Sequence, residues 1–275
     1  MLREPGCNLT VVSGVCNSGQ KLMNSTWKCV AAIAVFAAIA LTAGADDFDS
    51  AGVRIHYDVA GQGQPVVLVH GLYSSARMNW EMPGTMALLA RNYQVIALDN
   101  RGHGESDKPT KDGSYGVKMA EDVVRLMDHL HIAKAHLVGY SMGGMIVMKV
   151  LTTHPERVSS AVLGGMGWLK TGSFLQRFWE NMHGRDVGKT PAICLSEMGQ
   201  LAVSEAEVKA VHVPVAMIVG DRDPCRRMYV EPLEGIRPDW PVYVIAGAGH
   251  LNCIVQPSFK AQLKAALDQQ VHTGL

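Results

Sequence analysis

The chain lacks an excess of either charge: its 25 basic and 25 acidic residues cancel. A chain with no net charge points neither to nucleic acid nor to an acidic membrane surface as a partner. Internal repeats, blocks of like charge and low-complexity tracts are also lacking outside the N-terminal region, which sets repeat arrays and solvating tails aside. The six cysteines form no Cys-x-x-Cys pair and no cluster with histidine, so neither metal nor cofactor is expected. No apolar run reaches the roughly 20 residues of a comfortable membrane span. What is present is 275 residues, 48% of them hydrophobic. That is enough for one sizeable core, in a single domain or one with an insertion.

The N-terminal region differs in kind from the rest. Residues 30–43 are fourteen in a row without a charge, preceded by Lys28 and followed by Ala43-Gly44-Ala45 and then Asp46-Asp47. A basic flank, a short apolar stretch and small residues at −3 and −1 predict a signal peptide over residues 1–45, cleaved after Ala45, and hence export to the periplasm or medium. An uncleaved membrane anchor over residues 29–43 is the alternative. Met23 would give the leader an ordinary short start, Asn24 to Lys28, and the lack of a cysteine near the cleavage point argues against lipid modification. Removal of 1–45 leaves Cys194, Cys225 and Cys253, an odd number that permits at most one internal disulfide.

Beyond residue 50 the hydrophobic rhythm is regular. Val53 to Val59 alternates like an edge strand, and Val66–Val69 is a short continuous apolar run, the pattern of a strand buried on both faces. Tyr93–Leu98 reads as a second buried strand, and Ala135–Val138, Val158–Gly164, Val213–Val219 and Val242–Ile245 as further strands. Between them Thr85–Arg91, Val117–His131, the run from Met145 to Leu151 and Pro257–Gln269 read as helices. Alternating strands and helices predict an α/β fold, a mostly parallel sheet covered on both faces. From Trp168 to about Val211 the alternation breaks. We expect a short helical insertion there, with Ser204-Glu205-Ala206-Glu207 as a capping box. Phe174, Phe178, Trp179 and Met182 recur at helical spacing and read as the insertion's own core rather than a pocket lining.

The stretch Gly139-Tyr140-Ser141-Met142-Gly143-Gly144 stands between a strand and a helix, the context of a nucleophile elbow. A serine on so sharp a turn needs neighbours without Cβ, and the helix start behind it offers free N–H groups to a developing oxyanion. Reactive groups gather at the carboxyl ends of parallel strands, and three more such ends carry them: His70-Gly71-Leu72, Asp221 with Asp223, and His250. A serine hydroxyl needs a base, and the base an anion to hold its tautomer.

Together with Arg101-Gly102-His103-Gly104-Glu105-Ser106 and Gly247-Ala248-Gly249-His250, these motifs resemble those of the α/β-hydrolase family, over about Val53 to Leu267. The resemblance implies Ser141 as nucleophile, His250 as general base and then acid, and Asp223 as orienting carboxylate, with Asp221 the rival acid. It further implies an oxyanion hole from the backbone N–H groups of Leu72 and Met142. His70, His103 and Asp99 are expected to brace their turns, and His129, His131 and His136 to lie on the surface. If Asp223 and His250 meet, Cys225 and Cys253 come close, and a disulfide between them would pin the two loops; small buried thiols that stay reduced are the alternative.

A serine nucleophile sets aside the aspartate-dependent members of that family. The expected reaction is hydrolysis of small to medium carboxylic esters or lactones through an acyl-enzyme, with a small-molecule substrate and no stable membrane partner. A cofactor-free haloperoxidase (perhydrolase), a carbon–carbon bond hydrolase and a non-catalytic ligand-binding protein on the same fold remain open alternatives.

Overall fold

A computed structural model describes residues 44–182 and 184–273; residues 1–43, on which the leader or anchor expectation falls, lie outside the described residues. Eight strands form one sheet: β1 (Gly44–Asp49), β2 (Arg54–Ala60), β3 (Gln64–Val69), β4 (Tyr93–Leu98), β5 (Ala135–Tyr140), β6 (Val158–Gly164), β7 (Val215–Gly220) and β8 (Val242–Ile245). Their spatial order is β1-β2-β4-β3-β5-β6-β7-β8. The first two pairings, β1 with β2 and β2 with β4, are antiparallel, and all later ones parallel.

Period-two alternation divides each central strand between two cores. In β3, Val66 and Leu68 pack on one face with α1 (Thr85–Leu89) and α9 (Pro257–Thr273), through Leu89, Phe259 and Leu263. Val67 and Val69 pack on the other, with α2 (Val117–His129) and α3 (Met142–Thr153). Burial on both faces is why Val66–Val69 reads as an unbroken apolar run. In α2, Met119, Val123, Leu126 and Met127 are buried, the stripe expected of a helix covering a sheet.

Strand β1 is a departure from the sequence reading. Its residues Gly-Ala-Asp-Asp-Phe-Asp turn only Phe48 inward, and aspartate is depleted in strands, so no propensity signal marks it. It pairs from Gly44 opposite Val59 to Asp49 opposite Arg54, so cleavage after Ala45 would remove its first two pairs. Charged side chains on such an edge discourage pairing with another sheet.

Between β6 and β7 the chain forms α4 (Phe174–Glu180), α5 (Ile193–Glu197), a 3-10 turn over Met198–Leu201, and α6 (Glu205–Lys209). The capping box is present, with Ser204 Oγ accepting from the Glu207 N–H and Glu207 from the Ser204 N–H. The aromatic residues divide. Trp179 packs against the core and its indole N–H donates to the Tyr229 hydroxyl at 3.0 Å, but Phe174 is 72% exposed and Phe178 also faces solvent. A seven-residue helix lying over a domain has one covered face, and these two phenylalanines are on the other. His136 is a second correction: it is buried in β5, its Nε2–H donating to Gln64 and its Nδ1 accepting from Ser160. A polar side chain in a central strand survives burial when both ring nitrogens are satisfied. No helix among the described residues is long and apolar enough to cross a membrane.

Candidate active site

At the junction of β5 and α3, Ser141 has φ 55° and ψ −122°, a left-handed backbone that non-glycine residues hold only when their surroundings impose it. Its N–H donates to the Gly164 carbonyl at the end of β6, and its own carbonyl accepts from the Gly144 N–H, both at 2.8 Å. Glycine is needed on either side. A Cβ on Gly139 would overlap the Gly143 carbonyl, and one on Gly143 would overlap the carbonyl of Val69 in β3.

His250 opens α8 (His250–Cys253), which follows β8. Its Nε2 lies 2.8 Å from Ser141 Oγ and its Nδ1 2.8 Å from Asp223 Oδ2. With the serine hydroxyl donating to Nε2, Nδ1 carries the ring proton toward the carboxylate. Asp223 is buried past the end of β7, its other oxygen accepting from the Cys225 N–H at 2.8 Å. Asp221 is exposed, and its Oδ1 instead accepts from the Ala248 N–H at 3.2 Å. The structure thus brings Ser141, His250 and Asp223 together and leaves Asp221 outside. Such a relay can move a proton off the serine hydroxyl while the carboxylate holds the imidazole in one tautomer.

Three neighbours of this relay carried no sequence signal. The Tyr140 hydroxyl donates to the His250 carbonyl, and its ring lies 5.6 Å from the imidazole. Met166 Sδ is 3.4 Å from Ser141 Oγ. A Cβ on Gly165 would meet the His250 ring. Tyr140 adjoins the serine in sequence, but its contact with His250 and the approach of Gly165 and Met166 from the end of β6 are set only by the tertiary fold.

Upstream of the elbow, His70 is fully buried at the end of β3. The Asn100 N–H donates to its Nε2 at 2.9 Å, so its Nδ1–H donates to the Gly71 carbonyl at 2.7 Å. Burial lowers the pKa of this imidazole and keeps it neutral. Asn79 Oδ1 accepts the Gly71 N–H at 2.8 Å, so both peptide units flanking Gly71 are pinned ahead of Leu72. Asp99 braces its turn, one oxygen accepting from the Ala76 N–H and the other from the Glu105 N–H, each at 2.7 Å. His103 packs edge-on against His70, and burial pushes its pKa down to about 3.

Cys194, Cys225 and Cys253 are free thiols, and no Cys225–Cys253 bridge forms. Cys253 is buried against the Tyr140 hydroxyl, whereas the Cys225 thiol turns to the Asp223 carboxylate. Burial pushes the Cys225 thiol up to about 12 and Cys253 up to about 11. The donor atoms of Asp223, Cys225 and His250 all lie within 4.8 Å of one another, the approach that a meeting of Asp223 with His250 implies for Cys225.

The segments at the carboxyl edge of the sheet carry most of the exposed apolar side chains. Among the described residues, every exposed large hydrophobic side chain except Val244 stands in a segment leaving the carboxyl end of β3, β6, β7 or β8. They include Tyr73, Phe174, Met228 and Leu251, the last 89% exposed and next to His250.

A strand–elbow–helix serine after β5, a buried acid after β7 and a histidine after β8 of an eight-stranded, mostly parallel sheet define an α/β hydrolase fold, and this chain has it. The family model for the alpha/beta hydrolase fold matches residues 64–192, a span that holds His70, Leu72 and Ser141 but ends before Asp223 and His250. Among curated proteins the chain is similar to the dihydrolipoyllysine-residue acetyltransferase component of an acetoin cleaving system from Pseudomonas putida. That match is 42% identical over 126 residues, 44% of this chain and 33% of the relative. It is also similar to a putative carbamate hydrolase of Variovorax paradoxus, 39% identical over 111 residues, 40% of this chain and 41% of that one. A third relative is a 2-hydroxy-6-oxo-6-phenylhexa-2,4-dienoate hydrolase of Comamonas testosteroni, 35% identical over 128 residues, 46% of this chain and 44% of the other. The matches therefore span between a third and under half of these relatives' length. Among solved structures, E-2-(acetamidomethylene)succinate hydrolase superposes with a TM-score of 0.69 at 19% identity, covering 82% of this chain and all of that one, a likeness of fold.

Proposed function

We propose that the protein is a serine hydrolase that cleaves small to medium carboxylic esters or lactones through an acyl-enzyme. The observation that carries this reading is the unbroken relay from Ser141 Oγ through His250 to Asp223, two contacts of 2.8 Å each, on a serine whose backbone is held in a strained turn. Ser141 Oγ attacks the carbonyl carbon as His250 Nε2 takes its proton, and Asp223 stabilises the imidazolium. The N–H groups of Leu72 and Met142 receive the negative charge on the carbonyl oxygen; one such donor is typically worth about 3–4 kcal/mol. His250 then protonates the leaving alkoxide, and in the second half it deprotonates the water that releases the acid. The exposed apolar side chains of the segments leaving the same sheet edge, Leu251 beside His250 among them, favour an uncharged acyl or alcohol group over an ionic one.

The test is a panel of esters from acetate to long acyl chains, with lactones, run on the protein and on Ser141→Ala. Turnover that survives in Ser141→Ala overturns the mechanism. Fluorophosphonate labelling of Ser141 without turnover of any substrate would favour a ligand-binding protein instead. A second reading, carbon–carbon bond hydrolysis, draws on the Comamonas testosteroni relative. A 2-hydroxy-6-oxo-dienoate added to the panel decides it: kcat/KM above that of every ester replaces ester cleavage as the activity.

A further inference from the structure

We infer that Asp223, Cys225 and His250 form a three-donor site for a thiophilic divalent cation such as Zn2+, and that filling it switches the proposed relay off. One oxygen, one sulfur and one ring nitrogen lie within 4.8 Å of one another, which is the donor mix that zinc takes. Metal–ligand bonds of about 2.0–2.3 Å in a tetrahedron put neighbouring donors roughly 3.3–3.8 Å apart. The widest donor pair must therefore close by up to about 1 Å, whereas His250 Nδ1 and Asp223 Oδ2, now 2.8 Å apart, must open by about half that, both within reach of side-chain rotation. Two of the three are already set on one short turn, where the Cys225 N–H holds Asp223 Oδ1 at 2.8 Å. The third is backed by the Tyr140 hydroxyl on the His250 carbonyl. Asp223 is buried while Cys225 and His250 are half-buried, so an ion can enter from solvent on the sulfur and nitrogen side. Water completes the coordination.

The chemistry balances without an oxidant. The cation replaces the thiol proton of Cys225, which leaves to solvent, and takes the lone pair of His250 Nδ1. The ring proton then resides on Nε2, by exchange with water. An imidazole metallated at Nδ1 and protonated at Nε2 cannot accept the Ser141 proton, and Asp223 is occupied by the metal. Inhibition follows from the tautomer as much as from occupancy. Binding itself does not depend on the proposed esterase activity; only its inhibitory consequence rests on that reading.

The experiment titrates the full-length protein with Co2+ and reads the thiolate-to-cobalt charge-transfer absorption, which needs no turnover. Expected are one equivalent bound, displacement by Zn2+, and an unchanged band in Ser141→Ala and Cys253→Ser. Cys225→Ser and Cys225→Ala should lose the band and weaken binding by at least about tenfold. In the ester assay Zn2+ should suppress turnover of the parent reversibly, with recovery on chelation, and spare Cys225→Ser. Absence of the band, or a band that survives both Cys225 variants, overturns the site. If the band behaves as expected and no ester is turned over, the cation site stands and the esterase reading falls.

Discussion

Replacement of His70 tests how the oxyanion loop is held. His70 Nδ1–H grips the Gly71 carbonyl at 2.7 Å. That carbonyl and the Leu72 N–H belong to the same planar trans peptide and point in opposite directions. Fixing one therefore aims the other, the proposed oxyanion donor. The two nitrogens of His70 can be separated by choice of substitute. Asparagine places an amide nitrogen near Nδ1 and can still hold Gly71, but it loses the acceptor for the Asn100 N–H. Glutamine reaches the Nε2 position, where it can still accept from Asn100, and releases Gly71. His70→Asn strands the buried Asn100 N–H and should lose about 1–3 kcal/mol of stability, read from urea unfolding; His70→Gln leaves the Gly71 carbonyl only the longer 3.3 Å bond from the Ser74 N–H and should lose about 0.5–1.5 kcal/mol. They should differ in catalysis. Freeing the Leu72 peptide removes up to the worth of one oxyanion donor, about 10²–10³ in kcat with KM little changed. His70→Gln should approach that loss, and His70→Asn should fall well short of it. Equal losses of kcat in the two variants, or a larger loss in His70→Asn, would refute the idea that His70 acts through the Gly71 carbonyl.

Asp223→Asn should lower kcat on an ester by about 10⁴ while leaving the fold intact. Asp221→Asn, at the exposed neighbour, should change it only a few-fold; the ratio of the two rates checks which acid serves His250. Gly143→Ala drives a methyl into the Val69 carbonyl and should cost about 3 kcal/mol or more, whereas Gly235→Ala, in the helix Glu231–Ile236 with nothing near the new methyl, should stabilise by about 0.5–1 kcal/mol; urea midpoints with unchanged slopes would give both signs. Acid should destabilise the protein through buried histidines. His103, lowered by burial to about 3, stays neutral when the unfolded chain protonates near 6.5, and His70 is shifted in the same direction. The native state then binds fewer protons, so stability is full above pH 6.5 and falls as pH drops from there toward 3. At pH 4.5 His103 alone accounts for about 2–3 kcal/mol. His103→Gln should flatten the loss between pH 7.5 and 4.5, and an unaltered slope would count against it.

The central strands were legible because short, mostly apolar runs alternate with helical stretches; Tyr93–Leu98, Val158–Gly164 and Val242–Ile245 match their predicted bounds, although β8 is only partly buried. The elbow was legible for a different reason. Gly139 and Gly143 are required by backbone close approach, and such a requirement writes itself into sequence. β1 left no such trace, because an acidic edge strand gains its order from pairing with β2 rather than from its own residues. The histidines show the limit most clearly. His70 and His136 look alike in sequence, yet one orders the loop beside the serine and the other is a satisfied core residue between Gln64 and Ser160. Which partners a histidine meets is decided by contacts 24 to 72 residues away, and no local pattern carries that information. Phe174 and Phe178 repeat the lesson, since helical spacing fixes a common face but not which face is covered.

The same close approach that marks Gly143 also ties the two halves of the proposed oxyanion hole together. Met142 N–H belongs to the first turn of α3, and Leu72 N–H to the extension of β3. Nothing in the connectivity sets the distance between them, because 70 residues separate them. Gly143 does so: its missing side chain lets the start of α3 rest directly on the carbonyls of Val69 and His70, the residues that lead into the Gly71–Leu72 peptide. Ser141 is meanwhile tied to β6 through its N–H on Gly164. The serine is thus clamped between β3 and β6, and its strained φ of 55° is imposed by both neighbours. It follows that crowding at Gly143 acts on two quantities at once. It strains the fold, and it parts the two donors, so the loss of kcat should exceed anything the fraction of folded protein accounts for.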